Sequence, residues 1–198
     1  SNYSDGFFSA AEVVKFAYEA GCNLFSLTDH DTTDGIFEAQ LEANKVGLKL
    51  INGVEISAFW RNMTIHIIGL GIDIDNDILQ AGLEHNRDLR KVRAEKIALG
   101  LRRSGIKEPL EKAQNLSGGH MLTRTHFAQM LINEGYCKDM KAVFRRYLSG
   151  KKPGGARVEG KDFDEVIHWI HSAGGMAFIA HPFRYRMTHT KIKNMIKD

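Results

Sequence analysis

The sequence has little of what marks secreted or membrane-embedded proteins. It contains two cysteines in 198 residues, Cys22 and Cys137, which favours reduced thiols over disulfides. Its longest apolar runs, such as residues 176–180, are far too short to span a bilayer. The first residues have neither the basic nor the apolar region of a signal peptide. We therefore expect a cytoplasmic protein that does not enter a membrane.

Several catalytic motifs are also missing from the sequence. There is no Gly-x-Ser-x-Gly elbow for a nucleophilic serine and no Cys-x-x-Cys pair for zinc. The stretch at residues 150–154, Gly-Lys-Lys-Pro-Gly, lacks the spacing of a phosphate-binding Walker A loop. These absences argue against a serine or cysteine nucleophile and against a P-loop nucleotide hydrolase.

Positive charge is present in local excess. The net charge is only +3, but Lys and Arg concentrate at residues 87–103 and again at 145–152. Such clusters can meet a phosphate-bearing partner, and the first would suit a nucleic-acid-binding module. A solvated helix face explains the first cluster equally well. The charge pattern alone leaves both interpretations open.

The order of elements predicts an α/β fold. Apolar or β-rich runs predict strands at residues 24–27, 48–51, 64–70 and 176–180, the second one broken by Asn52-Gly53. Helices are predicted between them, and the first starts at a capping box formed by Ser9 and Glu12. This alternation is typical of βα units around a mostly parallel sheet or barrel.

The middle of the chain shows only helical patterns. Helices are predicted at residues 78–104, 108–116, 125–134 and 139–148. We therefore predict a barrel built from residues 1–76 and 151–198, interrupted by an all-helical insertion at residues 77–150.

Side chains that can bind metal lie at or near the predicted strand ends. They are Asp5, His30, Glu55, His66 and His181. Strands of α/β proteins carry function at their carboxyl ends, so we expect these side chains to converge. Mixed nitrogen and oxygen ligands suit Zn, Mn or Fe. A carboxylate such as Glu55 can bridge two metals that clamp the oxygens of a phosphoryl displacement.

Four segments resemble, in order and spacing, the motifs of the PHP (polymerase and histidinol phosphatase) superfamily. They are Thr-Asp-His-Asp-Thr-Thr at 28–33, Gly-Val-Glu-Ile-Ser at 53–57, Ile-His-Ile-Ile-Gly-Leu at 65–70 and Ala-His-Pro at 180–182. The helical middle carries Thr-Arg-Thr-His-Phe at 123–127 and Tyr-Leu-Ser-Gly-Lys-Lys-Pro-Gly at 147–154. It is similar to one subgroup, the bacterial nucleoside 3′,5′-bisphosphate phosphatases, also described as 5′-3′ exoribonucleases (RNase AM or TrpH-like).

The resemblance implies a distorted (β/α)7 barrel around up to three divalent metals, commonly Mn²⁺, with Zn²⁺ or Fe²⁺ as alternatives. The implied ligands are Asp5, His30, Glu55, His66 and His181, with Glu55 bridging. Substrate phosphate would be bound by Arg124 and His126, with help from Lys151 or Lys152. The family's opening His-x-His strand and late Asp-x-His motif do not occur in these 198 residues. Further ligands are therefore expected outside them.

The expected function is hydrolysis of the 3′-phosphate of a nucleoside 3′,5′-bisphosphate, or 5′-3′ cleavage of short RNA. A metal-activated water would attack phosphorus in line, and Arg124 would hold the growing charge. Glu55 and His181 are the expected catalytic residues, His181 as the acid that protonates the leaving alkoxide. Asp29 would either orient a metal ligand or cap the turn that follows it.

Other functions stay open from the sequence. They are another phosphatase of the superfamily (histidinol-phosphate type), a polymerase-associated exonuclease and a non-catalytic nucleic-acid-binding module. The helical insertion argues against the first two. The expected partner is a nucleotide or short RNA substrate, and no obligate protein partner is expected.

Overall fold

One mixed sheet organises the outer parts of the chain. The computed structural model describes residues 1–61, 63–185 and 187–197. In these residues the strands are β1 (Leu24–Leu27), β2 (Lys49–Trp60), β3 (Met63–Leu70) and β4 (Met176–Ile179), and they lie side by side in that order. β2 runs parallel to β1, whereas β3 is antiparallel to both β2 and β4.

Strand β2 differs from its prediction because it changes partner along its length. Residues 49–52 pair with β1 and residues 53–60 pair with β3. The predicted break at Asn52-Gly53 is wrong. Gly53 sits at the change of partner, where a Cβ atom would lie 2.2 Å from Ser26 Oγ. The expectation of a mostly parallel sheet is also wrong, because β2 and β3 form an antiparallel hairpin that side-chain alternation alone does not reveal.

Helices cover the sheet at its two ends. α1 (Ala10–Glu19) starts at the predicted capping box, in which Ser9 and Glu12 exchange hydrogen bonds. It packs with α2 (Ile36–Val46) over β1. On the other side, α7 (Phe163–Ser172) places Trp169 and Ile170 in a core with β2 and β3. The final helix is α8 (His189–Lys197).

The middle of the chain is helical, as predicted. Its helices are α3 (Asp77–Arg103), α4 (Pro109–Ser117), α5 (Arg124–Asn133) and α6 (Met140–Val143), and a π-helical turn at Phe144–Leu148 continues α6. α3 joins two cores, because Leu83 packs on the sheet whereas Leu101 packs with Phe127 among the other helices. The division into a barrel and an insertion stays a prediction. In the described ranges, no helix combines the length and apolar character needed to cross a membrane.

Candidate active site

The ends of the strands bring metal-type side chains together. His30 follows β1 and forms an isolated parallel bridge with Glu55 of β2. His66 lies on β3, and His181 follows β4. The ligand atoms of His30, Glu55 and His66 all lie within 4.8 Å of one another. Segments far apart in sequence therefore meet at one point of the sheet.

Glu55 is the centre of this cluster. Its Oε1 atom lies 2.9 Å from His66 Nδ1 and 3.1 Å from His181 Nε2. The rings of His30, His66 and His181 follow one another edge to face, with centroids 4.7 and 5.3 Å apart. Burial acts to raise the Glu55 pKa, but the hydrogen bond from His66 and the neighbouring histidines outweigh it, and the pKa is lowered. The carboxylate is therefore ionised at neutral pH, as a metal ligand must be.

Asp5 reaches the cluster from the segment before α1. Its Oδ2 atom lies 3.8 Å from His30 Nε2. The adjacent Ser4 hydroxyl donates a 2.5 Å hydrogen bond to the Asp29 carboxylate, and the Asp29 carbonyl accepts the backbone N–H of Glu55 at 3.1 Å. Asp29 therefore anchors the segment that carries Asp5, and it supports Glu55 through the backbone.

Three ligand-type atoms in the cluster are buried without a hydrogen-bond partner in the described residues. They are Asp5 Oδ1, His30 Nδ1 and His181 Nδ1. Buried polar atoms are normally satisfied, and a divalent cation would satisfy such atoms. Burial, with the nearby positive charge of Arg90, lowers the pKa of His30, so its imidazole is neutral and able to ligate. The donors present thus fit a divalent metal.

A cavity of about 290 Å³ adjoins the cluster and is strongly basic. Among the described residues, four arginines line it, Arg90, Arg93, Arg124 and Arg157, whereas Asp5 is the one acidic side chain. Guanidinium groups bind phosphate oxygens bidentately. Metal-type ligands beside an excess of arginine form a site suited to a phosphate ester.

Two of these arginines have a pKa below the usual value for arginine. Burial, together with the charges of Arg90 and Arg124, lowers the pKa of Arg93 to about 10. Arg124 is an exposed residue, yet desolvation of its guanidinium also lowers its pKa. Arg124 is held over the Phe144 ring, 5.7 Å from the centroid, at the start of the π-helical turn. Both stay charged at neutral pH, and a bound anion would relieve their repulsion.

A buried network holds Arg90 at the cavity wall. The fully buried Asp31 carboxylate accepts from Arg90 Nε at 2.6 Å, from Asn86 Nδ2 at 2.9 Å and from the Ser57 N–H at 2.8 Å. Burial acts to raise the Asp31 pKa, but Arg90 and these hydrogen bonds prevail and bring it to about 2. Sequence reasoning missed the network.

The sequence does contain a pattern that indicates the two arginines that were not predicted, Arg90 and Arg93. Asn86, Arg90 and Arg93 are spaced four and three apart, so they lie on one face of the predicted helix. The explanation of this basic cluster as a solvated helix face is wrong for Arg90, which is 8% exposed. It holds for Lys91, whose side chain is 76% exposed.

Tyr185 and the backbone of His181 also position the histidines and were not predicted. The backbone N–H of His66 donates to the Tyr185 hydroxyl at 2.7 Å, and the Tyr185 ring lies 5.4 Å from that of His181. His181 itself has a φ of 34°, in the left-handed region that non-glycine residues seldom adopt. The contact between His66 and Tyr185 spans 119 residues, so no local pattern announces it.

Three predicted phosphate-binding residues lie elsewhere. His126 is buried, and its Nδ1 accepts the Thr123 N–H at 3.1 Å as part of the α5 capping box. It lines a different cavity of about 220 Å³. Lys151 and Lys152 are exposed and line a separate groove with Arg103. Their predicted contact with substrate phosphate stays a prediction.

Another cavity, of about 570 Å³, is larger, but in the part of the chain that the structure describes no cluster of metal ligands lines it. It lies between α3 and the segment around His120, and it shares Arg90 with the basic cavity. Its volume alone does not make it the reactive site, because His30, His66, His181 and Glu55 are not among its described lining residues.

Comparison with known proteins places most of the chain in one family model. The model, described as the PHP domain, matches residues 1–193. A relative from Chromobacterium violaceum, a 3′,5′-nucleoside bisphosphate phosphatase, is 41% identical over 199 residues that cover the whole chain and 70% of the relative. A 5′-3′ exoribonuclease from Haemophilus influenzae is 40% identical over 198 residues, covering the whole chain and 72% of the relative.

A solved structure supports the fold. It is an amidohydrolase from Chromobacterium violaceum with sulfate bound and no metal. It superposes with a TM-score of 0.96 at 41% identity, over all of this chain and 70% of that one. The predicted α/β fold class is confirmed, and the agreement is consistent with a distorted barrel.

Proposed function

This chain belongs to the PHP domain family and is a hydrolase, and on that premise we propose that it is a phosphoesterase that acts on 5′-phosphorylated nucleotides. The bond cleaved would join the 3′ oxygen to phosphorus. A nucleoside 3′,5′-bisphosphate and the 5′ end of an RNA share this bond, as the names of the two relatives suggest. One observation carries the proposal: His30 and His66 of the metal-type cluster line a cavity whose described lining also has four arginines and one carboxylate.

The metal would be held by the predicted ligands Asp5, His30, Glu55, His66 and His181. We propose Mn²⁺ as the working ion, because mixed nitrogen and oxygen donors suit Mn as well as Zn or Fe. A divalent metal supplies an activated water and neutralises phosphoryl charge. The three buried ligand atoms without partners support this assignment.

The chain's own side chains would bind and orient the phosphoryl group. Arg93 and Arg124 would hold its oxygens as charge grows there. Arg90, which Asp31 holds in place, would provide a third guanidinium beside the phosphoryl group. His181 is also the predicted acid for the leaving oxygen, a role that it can take only while it is not bound to the metal.

The cellular setting is part of the proposal. Cys22 is exposed and Cys137 is buried, and both are free thiols. Free thiols are typical of reducing compartments, which supports a cytoplasmic enzyme.

The test is phosphate release from adenosine 3′,5′-bisphosphate by the purified protein in its full natural length. Activity should vanish in EDTA and return with Mn²⁺. Glu55→Gln should lose at least about 10³-fold, because the carboxylate is replaced by a neutral amide at the centre of the ligand set. Lys49→Gln, an exposed change on the same strand, is the matched control. Full activity in EDTA, or in Glu55→Gln, would refute the proposal.

A further inference from the structure

A second basic hollow lies beside the active-site cavity along α3. This hollow, called the α3 groove here, has a volume of about 370 Å³ and is lined by Lys96, Arg103, Lys151 and Lys152 together with small and apolar residues. All four cations are exposed, and no acidic side chain is among the described lining residues. The groove therefore offers uncompensated positive charge to solvent.

The loop that carries Lys151 and Lys152 is seated firmly on α3. Gly100 makes this possible, because a Cβ atom there would lie 1.7 Å from the Pro153 carbonyl oxygen. The loop is closed by bonds from the Gly154 N–H to the Tyr147 carbonyl at 2.7 Å and from the Gly155 N–H to the Lys152 carbonyl at 2.8 Å. Its lysines are thus presented from a fixed backbone.

The α3 groove continues the active-site cavity. Arg93 lines the cavity, whereas Lys96, Gly100 and Arg103 line the groove, and their spacing of three, four and three residues keeps them on one helix face. Ala156 lines both hollows. From Arg93 to Arg103 the helix rises about 15 Å, several times the rise of about 3.4 Å per nucleotide in a stacked strand. The track is long enough for more than one phosphate.

We propose that the α3 groove binds backbone phosphates of the nucleotides on the 3′ side of the cleaved bond. The inference rests on the proposed function, because the reacting nucleotide occupies the cavity. A nucleoside bisphosphate ends at its 3′-phosphate and does not reach the groove, whereas an RNA continues into it. The groove thus makes a 5′-phosphorylated RNA strand the preferred substrate class.

The experiment compares two substrates in the same enzyme. They are adenosine 3′,5′-bisphosphate and a 5′-phosphorylated oligoadenylate of five nucleotides, each at several salt concentrations with Mn²⁺. The variant is Lys96→Ala combined with Arg103→Ala. Its matched control is Lys107→Ala combined with Lys138→Ala, two exposed lysines that line neither hollow. A second variant, Lys151→Ala with Lys152→Ala, tests the loop side.

The expected result is a change confined to the RNA. Losing two phosphate contacts should raise its KM about tenfold near physiological salt and reduce the slope of log affinity against log salt by about 1.4. In the variant Lys96→Ala with Arg103→Ala, kcat for RNA and both constants for the bisphosphate should stay as in the unaltered protein. Binding of the same oligonucleotide in EDTA, followed by fluorescence anisotropy, should weaken by the same factor in both groove variants.

The other outcomes overturn the inference, and they are distinguishable from failure of the proposed function. A groove variant could turn over both substrates with the same kcat and KM for RNA as the control variant. The groove would then not bind RNA, and the proposed phosphoesterase activity would stand. Equal losses on RNA and bisphosphate would mean that the variants damage the cavity. RNA binding in EDTA that depends on the groove, with no metal-dependent turnover at all, would indicate a binding module and refute both.

Discussion

Helix α3 carries positively charged side chains that line two neighbouring hollows, and the two sets differ in their exposure to solvent. In the active-site cavity, Arg90 is buried and fixed by Asp31, and Arg93 has a pKa lowered to about 10. In the α3 groove, Lys96 and Arg103 extend into solvent. Buried charges act at short range and are screened weakly by salt, whereas exposed ones attract a polyanion in a salt-dependent manner. On the proposals made above, one helix would separate the positioning of the reacting phosphate from the binding of the rest of the strand.

The largest effect on stability should come from the buried side of this comparison. Asp31→Asn removes the charge opposite Arg90 inside the protein, and breaking a buried pair costs about 3–5 kcal/mol in the free energy of unfolding. Asp88→Asn, on the helix that carries Arg90, breaks the exposed pair with Lys91 and should change the free energy of unfolding far less, because solvent screens exposed pairs. Urea denaturation of both variants measures the contrast. Equal effects would show that burial does not distinguish the two pairs.

The next effect concerns catalysis in the cavity. Arg124→Ala should lower kcat/KM for adenosine 3′,5′-bisphosphate about 10²- to 10³-fold, the usual result of removing one charged donor from a developing oxyanion. Arg124→Lys keeps the charge but not the bidentate geometry, so it should recover only part of the loss. Steady-state kinetics of the two variants decide this. If Arg124→Ala kept its activity, the arginines of the cavity would not contact the reacting group.

A smaller effect should appear in acid. The Asp31 pKa is about 2 in the folded protein against 3.8 for the ordinary carboxyl, so the unfolded chain binds the proton first as pH falls. The stability that this group contributes is fully present above pH 4 and is lost as pH falls toward 2, by on the order of 2 kcal/mol. Unfolding free energies measured between pH 5 and 2 should decline less steeply in Asp31→Asn. Parallel declines would contradict the lowered pKa.

The smallest effect should come from the groove. Gly100→Ala pushes a methyl group against the Pro153 carbonyl, and such overpacking costs about 1–3 kcal/mol. The atom in the way belongs to the backbone, so the loop that carries Lys151 and Lys152 must be displaced as a whole. This displacement of the loop should raise the KM for the RNA and leave the KM for adenosine 3′,5′-bisphosphate unchanged. Unchanged RNA kinetics would mean that the position of the loop does not matter.

Much of the fold was predictable because it is locally encoded. Capping, glycine stops and helical periodicity located α3, α4 and α5 to within one residue at each end, and α6 likewise when the π-helical turn that continues it is included. The hairpin of β2 and β3 was not predictable in the same way. A strand that changes partner at Gly53 depends on Ser26, which belongs to another strand. Pairing of this kind is a tertiary property that the sequence pattern of one strand does not contain.

The candidate site also has a part that the sequence predicted and a part that it did not. Side chains at strand ends, such as His30 and His181, were predicted because strand order brings strand ends together. The network of Asp31, Asn86 and Arg90 needs the helix to lie against the strand ends, with partners 55 and 59 residues apart. The sequence showed the charge of the helix but not its burial. Lys151 and Lys152 are the opposite case. Their sequence motif predicted a contact with the substrate phosphate, but in the structure they line the α3 groove.

The central claim is that Glu55 organises a divalent metal site. The most direct test is the bound-metal content of the purified protein, in its full natural length, after dialysis with Mn²⁺, compared with Glu55→Gln and with Lys49→Gln. We predict Mn²⁺ in the unaltered protein and in Lys49→Gln, and a loss of most of it in Glu55→Gln at an unchanged circular dichroism spectrum. Equal Mn²⁺ content in all three proteins would contradict the account.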